Sequence, residues 1–507
     1  MPTRRLLMRR RWCGVGIQPE FGAITASFTQ QGWVNGWGVR QVELTIFGVI
    51  VFVAGLAALY VSYRGAIYGM AVFSLFGCTL ALGLGGIGIL PAQVFLAFFA
   101  LRAFNLVGGK GFADAVAQGK PGFWLLCTCL WGVTGAILLP RLLSGATLVF
   151  PVDRSSQFIL LQPLGPVSGN LSQTIYCIAD VVVYCSMIAF LKYRGVYRTL
   201  ANAIFLLAAL DTLAGLIDIV AHAAGLDVLS AIKTAQFADL TGQEMAGLVR
   251  ISGTFSETSG FAAFTLPLFV FCLNLWLVGY RPKLAGPLST ATGCLLLLST
   301  SGTAYVGLGA YQFILLFSRP AVISRFATVR KQRLCVISAC AGLLGVLYVI
   351  VFLPGVVKVL GDFVDAAVLS KAGSDSGVER MGWNAQGITN FFDTYGIGVG
   401  LGSIRASSFL VVLVASLGIV GVVCYGTFLG KSLLLPVPAH YPFTERAVCY
   451  AARHAMISTL IVASASLSVF ELGTCFYIFA AAAGALSARV PRRVPARAAW
   501  AVRGAHE

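Results

Sequence analysis

Charge is scarce in this chain. Only 11% of its 507 residues are Asp, Glu, Lys or Arg, against 58% apolar residues and a mean hydropathy of +0.86. That balance excludes a soluble globule, because too little polar surface exists to cover one. Histidine is rarer still, with four residues, His222, His440, His454 and His506. The 13 cysteines lie mostly inside apolar runs, and the closest pair, Cys127 and Cys129, has neither metal-ligand nor redox spacing. They read as small core residues. Residues 1–41 open with Arg4, Arg5, Arg9, Arg10 and Arg11 but lack the apolar core and small-residue cleavage site of a signal peptide, so they read as a basic tail. No internal repeat stands out, which argues against the doubled architecture of many transporters.

What the chain does have is long continuous apolar runs. They lie near 42–62, 66–83, 86–106, 121–140, 171–191, 199–221, 256–279, 284–299, 301–318, 333–353, 407–430, 447–466 and 468–487. Closed barrels need short alternating segments, so the expectation is an all-α polytopic membrane bundle of about 12–13 helices. One domain, 42–487, is flanked by the tail 1–41 and a second basic tail, 488–507.

The net charge of +17 does not point to nucleic acid, because the basic residues collect in short loops and at both ends. Lys192/Arg194/Arg198, Arg281/Lys283, Arg319/Arg325/Arg330/Lys331/Arg333 and the tail arginines from Arg489 to Arg503 fall on one side, which the positive-inside rule makes cytoplasmic. The longer connections 141–170, 222–255 and 354–406 then face outward. This parity leaves the Arg-rich amino terminus outside, against the rule. Either one of the first three runs re-enters or fails to span, or the first forty residues are an extension that misleads the count.

Acids inside apolar runs are costly and default to functional candidates. Asp211 and Asp218 are seven apart and share a helix face, and Asp180 lies mid-run in the preceding helix. A proton relay is one reading. Polar contacts between helices or to water near a groove are favoured, since no intramembrane Lys, Arg or His is an obvious partner. Arg102 and Glu471 sit near predicted run ends, where they can snorkel.

Two outer segments carry the chemistry. The stretch Arg250-Ile251-Ser252-Gly253-Thr254-Phe255-Ser256-Glu257 leads into the seventh run and, if helical, places Arg250 and Glu257 on one face about 10 Å apart along the axis. An interfacial anchor capped by Ser256 or Thr258 is the bland alternative. The half-polar segment 354–408 holds Glu379, Arg380, Asn384 and Arg405, with glycines at 396, 398, 400 and 402. That glycine run lacks the strand–turn–helix context of a dinucleotide fingerprint and instead suits close backbone approach and tight re-entry to the membrane. Arg380 and Arg405 flank it, and paired guanidiniums are the groups expected to clamp a diphosphate.

These residues resemble the O-antigen polymerase and ligase superfamily, which includes Wzy-type polysaccharide polymerases. The resemblance rests on Arg250 to Glu257, on Gly398-Val399-Gly400-Leu401-Gly402-Ser403 and on Leu417-Gly418-Ile419-Val420-Gly421, within roughly residues 160–480. It implies a GT-C-like, metal-independent glycosyltransferase without a cofactor, in the bacterial inner membrane. Such an enzyme takes glycan from an undecaprenyl-diphosphate-linked oligosaccharide at the periplasmic face, among membrane lipids and alongside a chain-length regulator protein. The loop arginines of the family map to Arg250, Arg380 and Arg405, and Asn384 joins them as a glycan- or diphosphate-binding residue. The ligases carry a His-Asn pair after the glycine run, where this chain has Ser407-Ser408. That departure favours a polymerase over a ligase and leaves Glu257, with Arg250, as the catalytic pair.

The chemistry is coherent with the residue types. Expelling a diphosphate develops negative charge that fixed arginines can meet. No Asp-x-Asp-like pair outside the membrane suits magnesium, and a carboxylate would assist deprotonation of the acceptor hydroxyl. A ligase remains one alternative. A transporter or flippase of lipid-linked glycans, coupled through Asp180, Asp211 and Asp218, is the other.

Overall fold

The computed structural model describes residues 42–84, 87–152, 160–226, 228–235, 244–245, 248–317, 329–334 and 375–486, with isolated helical positions at 336–338, 340 and 344. The tails expected at 1–41 and 488–507, most of the run 333–353 and the first part of the outer loop, 354–374, lie outside the described residues.

Seven helices are long and apolar enough to cross a membrane among the described residues: α3 (Pro91–Ala115), α4 (Pro121–Leu142), α5 (Ser168–Leu191), α6 (Val196–Ala223), α7 (Thr258–Val278), α11 (Phe409–Leu434) and α12 (Phe443–Ser466). The chain is therefore an all-α, multi-pass membrane protein. Five more of the expected runs form shorter helices: α1 (Ile46–Tyr60), α2 (Tyr63–Phe73), α8 (Pro282–Leu298), α9 (Gly302–Phe317) and α13 (Thr474–Ala485). Helix α10 (Asp375–Asp393) is polar on one side and lies in the expected outer loop.

Packing follows the apolar surfaces. In α13 every residue from Phe476 to Ala485 is buried, as befits a helix apolar on all sides. It is enclosed by α5, α12 and α11, and runs of alanine let those neighbours approach closely. Conversely, Leu130, Ile137 and Leu138 on α4 and Leu213, Leu216 and Val220 on α6 stay exposed, forming the stripes that hydrocarbon chains would cover.

The short helices have identifiable causes. Helix α2 spans only about 16 Å, half the hydrocarbon thickness, and the chain continues as non-helical backbone from Ser74 to Ala81. Freed polar groups there find partners: Thr254 Oγ1 donates to the Leu75 carbonyl (2.7 Å), Ala235 N to Cys78 O (3.0 Å), and Leu80 N to Thr234 Oγ1 (2.9 Å). Unwound backbone survives at membrane depth only when satisfied in this way. The segment ends in an antiparallel sheet of β1 (Val42–Leu44), β2 (Leu82–Leu84) and β3 (Ile87–Ile89). This sheet ties the start of α1 to the start of α3, so the run at 66–83 returns the chain to the end where α1 began, half as helix and half extended.

A second break joins α12 to α13 through 467–473, where Gly473 has φ +83°. A third lies inside α11 at Gly418 (φ 60°, ψ −163°). There the carbonyls of Ala415, Ser416 and Leu417 accept from Val399 N (2.9 Å), Gly400 N (3.0 Å) and Trp131 Nε1 (2.7 Å) respectively. The kink and the glycine run satisfy each other.

Candidate active site

The three long connections meet at one end of the bundle. The β4 (Leu148–Val149) and β5 (Gln162–Pro163) hairpin from the first connection lies against α10: Gln386 Nε2 donates to Leu148 O (2.7 Å) and Asn390 Nδ2 to Thr147 Oγ1 (2.9 Å). The second connection brings in Arg250, whose guanidinium lies within electrostatic range of Glu257, Arg380 and Tyr305. From the third come Arg380 and Asn384 on α10 and Arg405 beyond it.

The glycine run fixes where Arg405 stands. Gly396, Gly398, Gly400 and Gly402 all take φ between +75° and +96°, a region costly for any side chain with a Cβ. A Cβ at Gly402 would also sit 2.2 Å from the Gly169 carbonyl oxygen. From α5, Asn170 Nδ2 donates to Leu401 O (2.8 Å) and Ser403 Oγ (2.9 Å), holding the loop down. Arg405 N then donates to Phe150 O (2.8 Å) and Ser407 N to Asn384 Oδ1 (2.7 Å). Close backbone approach, expected from the glycines, is what this geometry uses.

Arg405 is half-buried, with its guanidinium carbon 5.4 Å from the Trp383 ring centroid, a cation–π contact that holds its plane. Its Nε has no hydrogen-bond partner among the described residues. Burial pushes the guanidinium below its ordinary value, while Glu379 and Glu257 act in the opposite sense. Arg250 is pushed down likewise by burial, opposed first by Glu257 and reinforced by Arg380. Both remain cations, because arginine does not lose its proton in proteins. Glu257 thus stands within range of Arg250 and Arg405, and Arg380 within range of Arg250.

Two local expectations are corrected. The segment 250–257 is not helical; it runs through turns into α7, so a folded loop rather than a shared helix face brings Arg250 and Glu257 together. Nor do Ser256 and Thr258 cap α7: the N-cap residue is Glu257, whose side chain makes no cap bond and instead accepts from Ser259 Oγ (2.6 Å). The positive end of the helix, at Glu257, therefore lies within electrostatic range of Arg250 and Arg405. Asn384, expected among the ligand-binding residues, accepts from Ser407 N through its carboxamide oxygen and thereby braces the Arg405 loop.

The membrane acids divide. Asp218 Oδ2 accepts from Ser252 N (2.7 Å) and Gly253 N (2.9 Å), fixing the segment that carries Arg250. Its other oxygen lies 3.3 Å from His222. Asp211 accepts from Thr265 Oγ1 on α7 (2.9 Å). These are the polar contacts that the sequence favoured over a relay. Asp218→Asn keeps an acceptor for both amides and should leave the melting midpoint nearly unchanged, whereas Asp218→Ala should cost ~1–3 kcal/mol by stranding them. A thermal melt of each variant in detergent checks this; equal losses would deny the anchoring role.

Sequence reasoning missed Trp383 and Tyr305. Trp383 follows Arg380 by three residues, a helical spacing that would have put both on one face. Tyr305 on α9 carried no comparable signal. Glu471, expected to snorkel, instead lies in the break between α12 and α13 against a cavity. Arg102 sits mid-way along α3 and donates to Leu59 O at 2.6 Å.

No protein-family model matches the chain, no curated protein resembles it significantly, and no solved structure does so either. What fold and site define is a class: a polytopic helical membrane protein with a cationic, tryptophan-backed cluster at one end.

Proposed function

We propose that the protein is a glycosyltransferase that polymerises undecaprenyl-diphosphate-linked oligosaccharide repeat units at the periplasmic face of a bacterial inner membrane. On this reading it is a GT-C-like bundle of about 12–13 membrane helices. The observation that carries the proposal is that Glu257 stands within electrostatic range of both Arg250 and Arg405, with Arg380 in turn within range of Arg250. Three guanidiniums against one or two carboxylates leave net positive charge, and forked donors match the oxygens of a diphosphate.

In the proposed reaction an acceptor hydroxyl attacks the anomeric carbon of the donor glycan, the carbon–oxygen bond to the diphosphate breaks, and undecaprenyl diphosphate leaves. Arg250, Arg380 and Arg405 meet the charge that grows on the leaving diphosphate. Glu257 takes the proton of the acceptor hydroxyl. Ser407 and Ser408 stand where the related ligases carry His-Asn, and this favours the polymerase over the ligase reading. Burial of Ser407, with its amide bonded to Asn384, supports a structural use of that position.

The size of the carrier-linked glycan tests the reading in cells. A strain lacking the protein should accumulate single repeat units on the carrier, displayed on the periplasmic side, where the parent strain carries long polymer. Full-length polymer without the protein would refute polymerisation, and single units trapped on the cytoplasmic side would indicate a flippase.

A further inference from the structure

Beneath the arginine cluster lies a separate cavity of about 280 Å³. Its roof is Phe255, its sides come from the unwound segment after α2, the starts of α3 and α7, and the break between α12 and α13. Six phenylalanines line it: Phe73, Phe76, Phe255, Phe264, Phe476 and Phe479. So does one carboxylate, Glu471.

An apolar, aromatic cavity is a poor place for an ionised acid without a cation. Glu471 Oε1 accepts from Gly473 N at 3.2 Å, while Oε2 is closed to solvent and has no hydrogen-bond partner among the described residues. Asp180 is buried on α5, also has an oxygen without a partner among those residues, and lies within electrostatic range of Glu471. No Lys, Arg or His is among the residues lining the cavity. An ionised Glu471 is therefore unanswered from the cavity walls, and ring faces, which carry negative potential, surround it.

We propose that this cavity binds a small organic cation with an apolar body, an aryl- or alkylammonium whose charge meets Glu471 and whose body lies against the phenylalanines. An inorganic ion would leave the aromatic walls without a role, and a neutral apolar molecule would leave the one carboxylate of the lining without a partner. The volume suits roughly ten non-hydrogen atoms, at the small end of ligand sites. The site is independent of the glycosyl-transfer reading.

Purified full-length protein in lipid nanodiscs, titrated calorimetrically with 2-phenylethylamine and with its neutral analogue 2-phenylethanol, tests the proposal. The amine should bind saturably, and the alcohol at least tenfold more weakly. Glu471→Gln should weaken the amine more than tenfold and bring it level with the alcohol. Ala263→Phe, which fills the cavity from α7 and leaves the acid in the sequence, should remove binding of both, and it keeps the test decisive if the Gln variant does not fold. Equal affinity for amine and alcohol, amine binding that survives Ala263→Phe, or saturable sodium binding that displaces the amine would each overturn the assignment.

Discussion

Exchanging Arg405 for alanine should abolish polymer while the protein stays in the membrane at its normal level. The expectation comes from its setting: the guanidinium is half-buried, backed by Trp383, and carried on a loop pinned at Phe150 and Asn384. A cation fixed in this way needs no reorganisation when charge develops on a leaving diphosphate, and losing one such group costs about 10²–10³-fold in turnover. Lysine should rescue poorly, because it offers a point charge in place of a planar fork and a weaker hold on the indole. Arg250→Ala and Arg380→Ala should behave alike, since each faces the same cluster. Polymer of normal length from Arg380→Ala, at normal protein level, would remove that residue from the site.

Glu257→Gln should lower turnover by roughly a hundredfold or more, because glutamine keeps the size and the acceptor for Ser259 but cannot take a proton. Donor binding should persist. Turnover per folded molecule, measured for the wild type and the Gln variant, is the readout. The competing account makes Glu257 only a partner that holds Arg250. Under it, Glu257→Gln would chiefly lower stability, and combining it with Arg250→Ala would be no worse than either change alone. An unchanged rate in Gln would leave Glu257 structural.

Much of this arrangement is legible in the sequence. Hydropathy located the seven long helices, and the positions of Arg250, Glu257, Arg380 and Arg405 flagged segments that prove to meet. The breaks were not legible. Hydropathy counts apolar side chains and is blind to backbone conformation, so the run at 66–83 reads as one span although it is helical only to Phe73. The same blindness puts Glu471 at a helix end, whereas the chain unwinds there beside a cavity that Glu471 lines. Part of the outer loop is helix α10, and its spacing was readable: Arg380, Trp383, Asn384 and Gly387 fall on the sheltered side, with Met381, Ile388 and Phe392 exposed. Gly418 was noted as part of a motif, but its role as a kink depends on the glycine run supplying amides from a distance that sequence order conceals.

The most direct measurement of the central claim uses purified protein in nanodiscs, a defined undecaprenyl-diphosphate-linked oligosaccharide and excess chelator, with products sized by mass spectrometry. The account predicts carrier-linked products of two, three and more repeats, with undecaprenyl diphosphate released in step, and no extension by Arg405→Ala. Recovery of the substrate unextended by the wild type, or extension that stops with chelator and returns with magnesium, would contradict it.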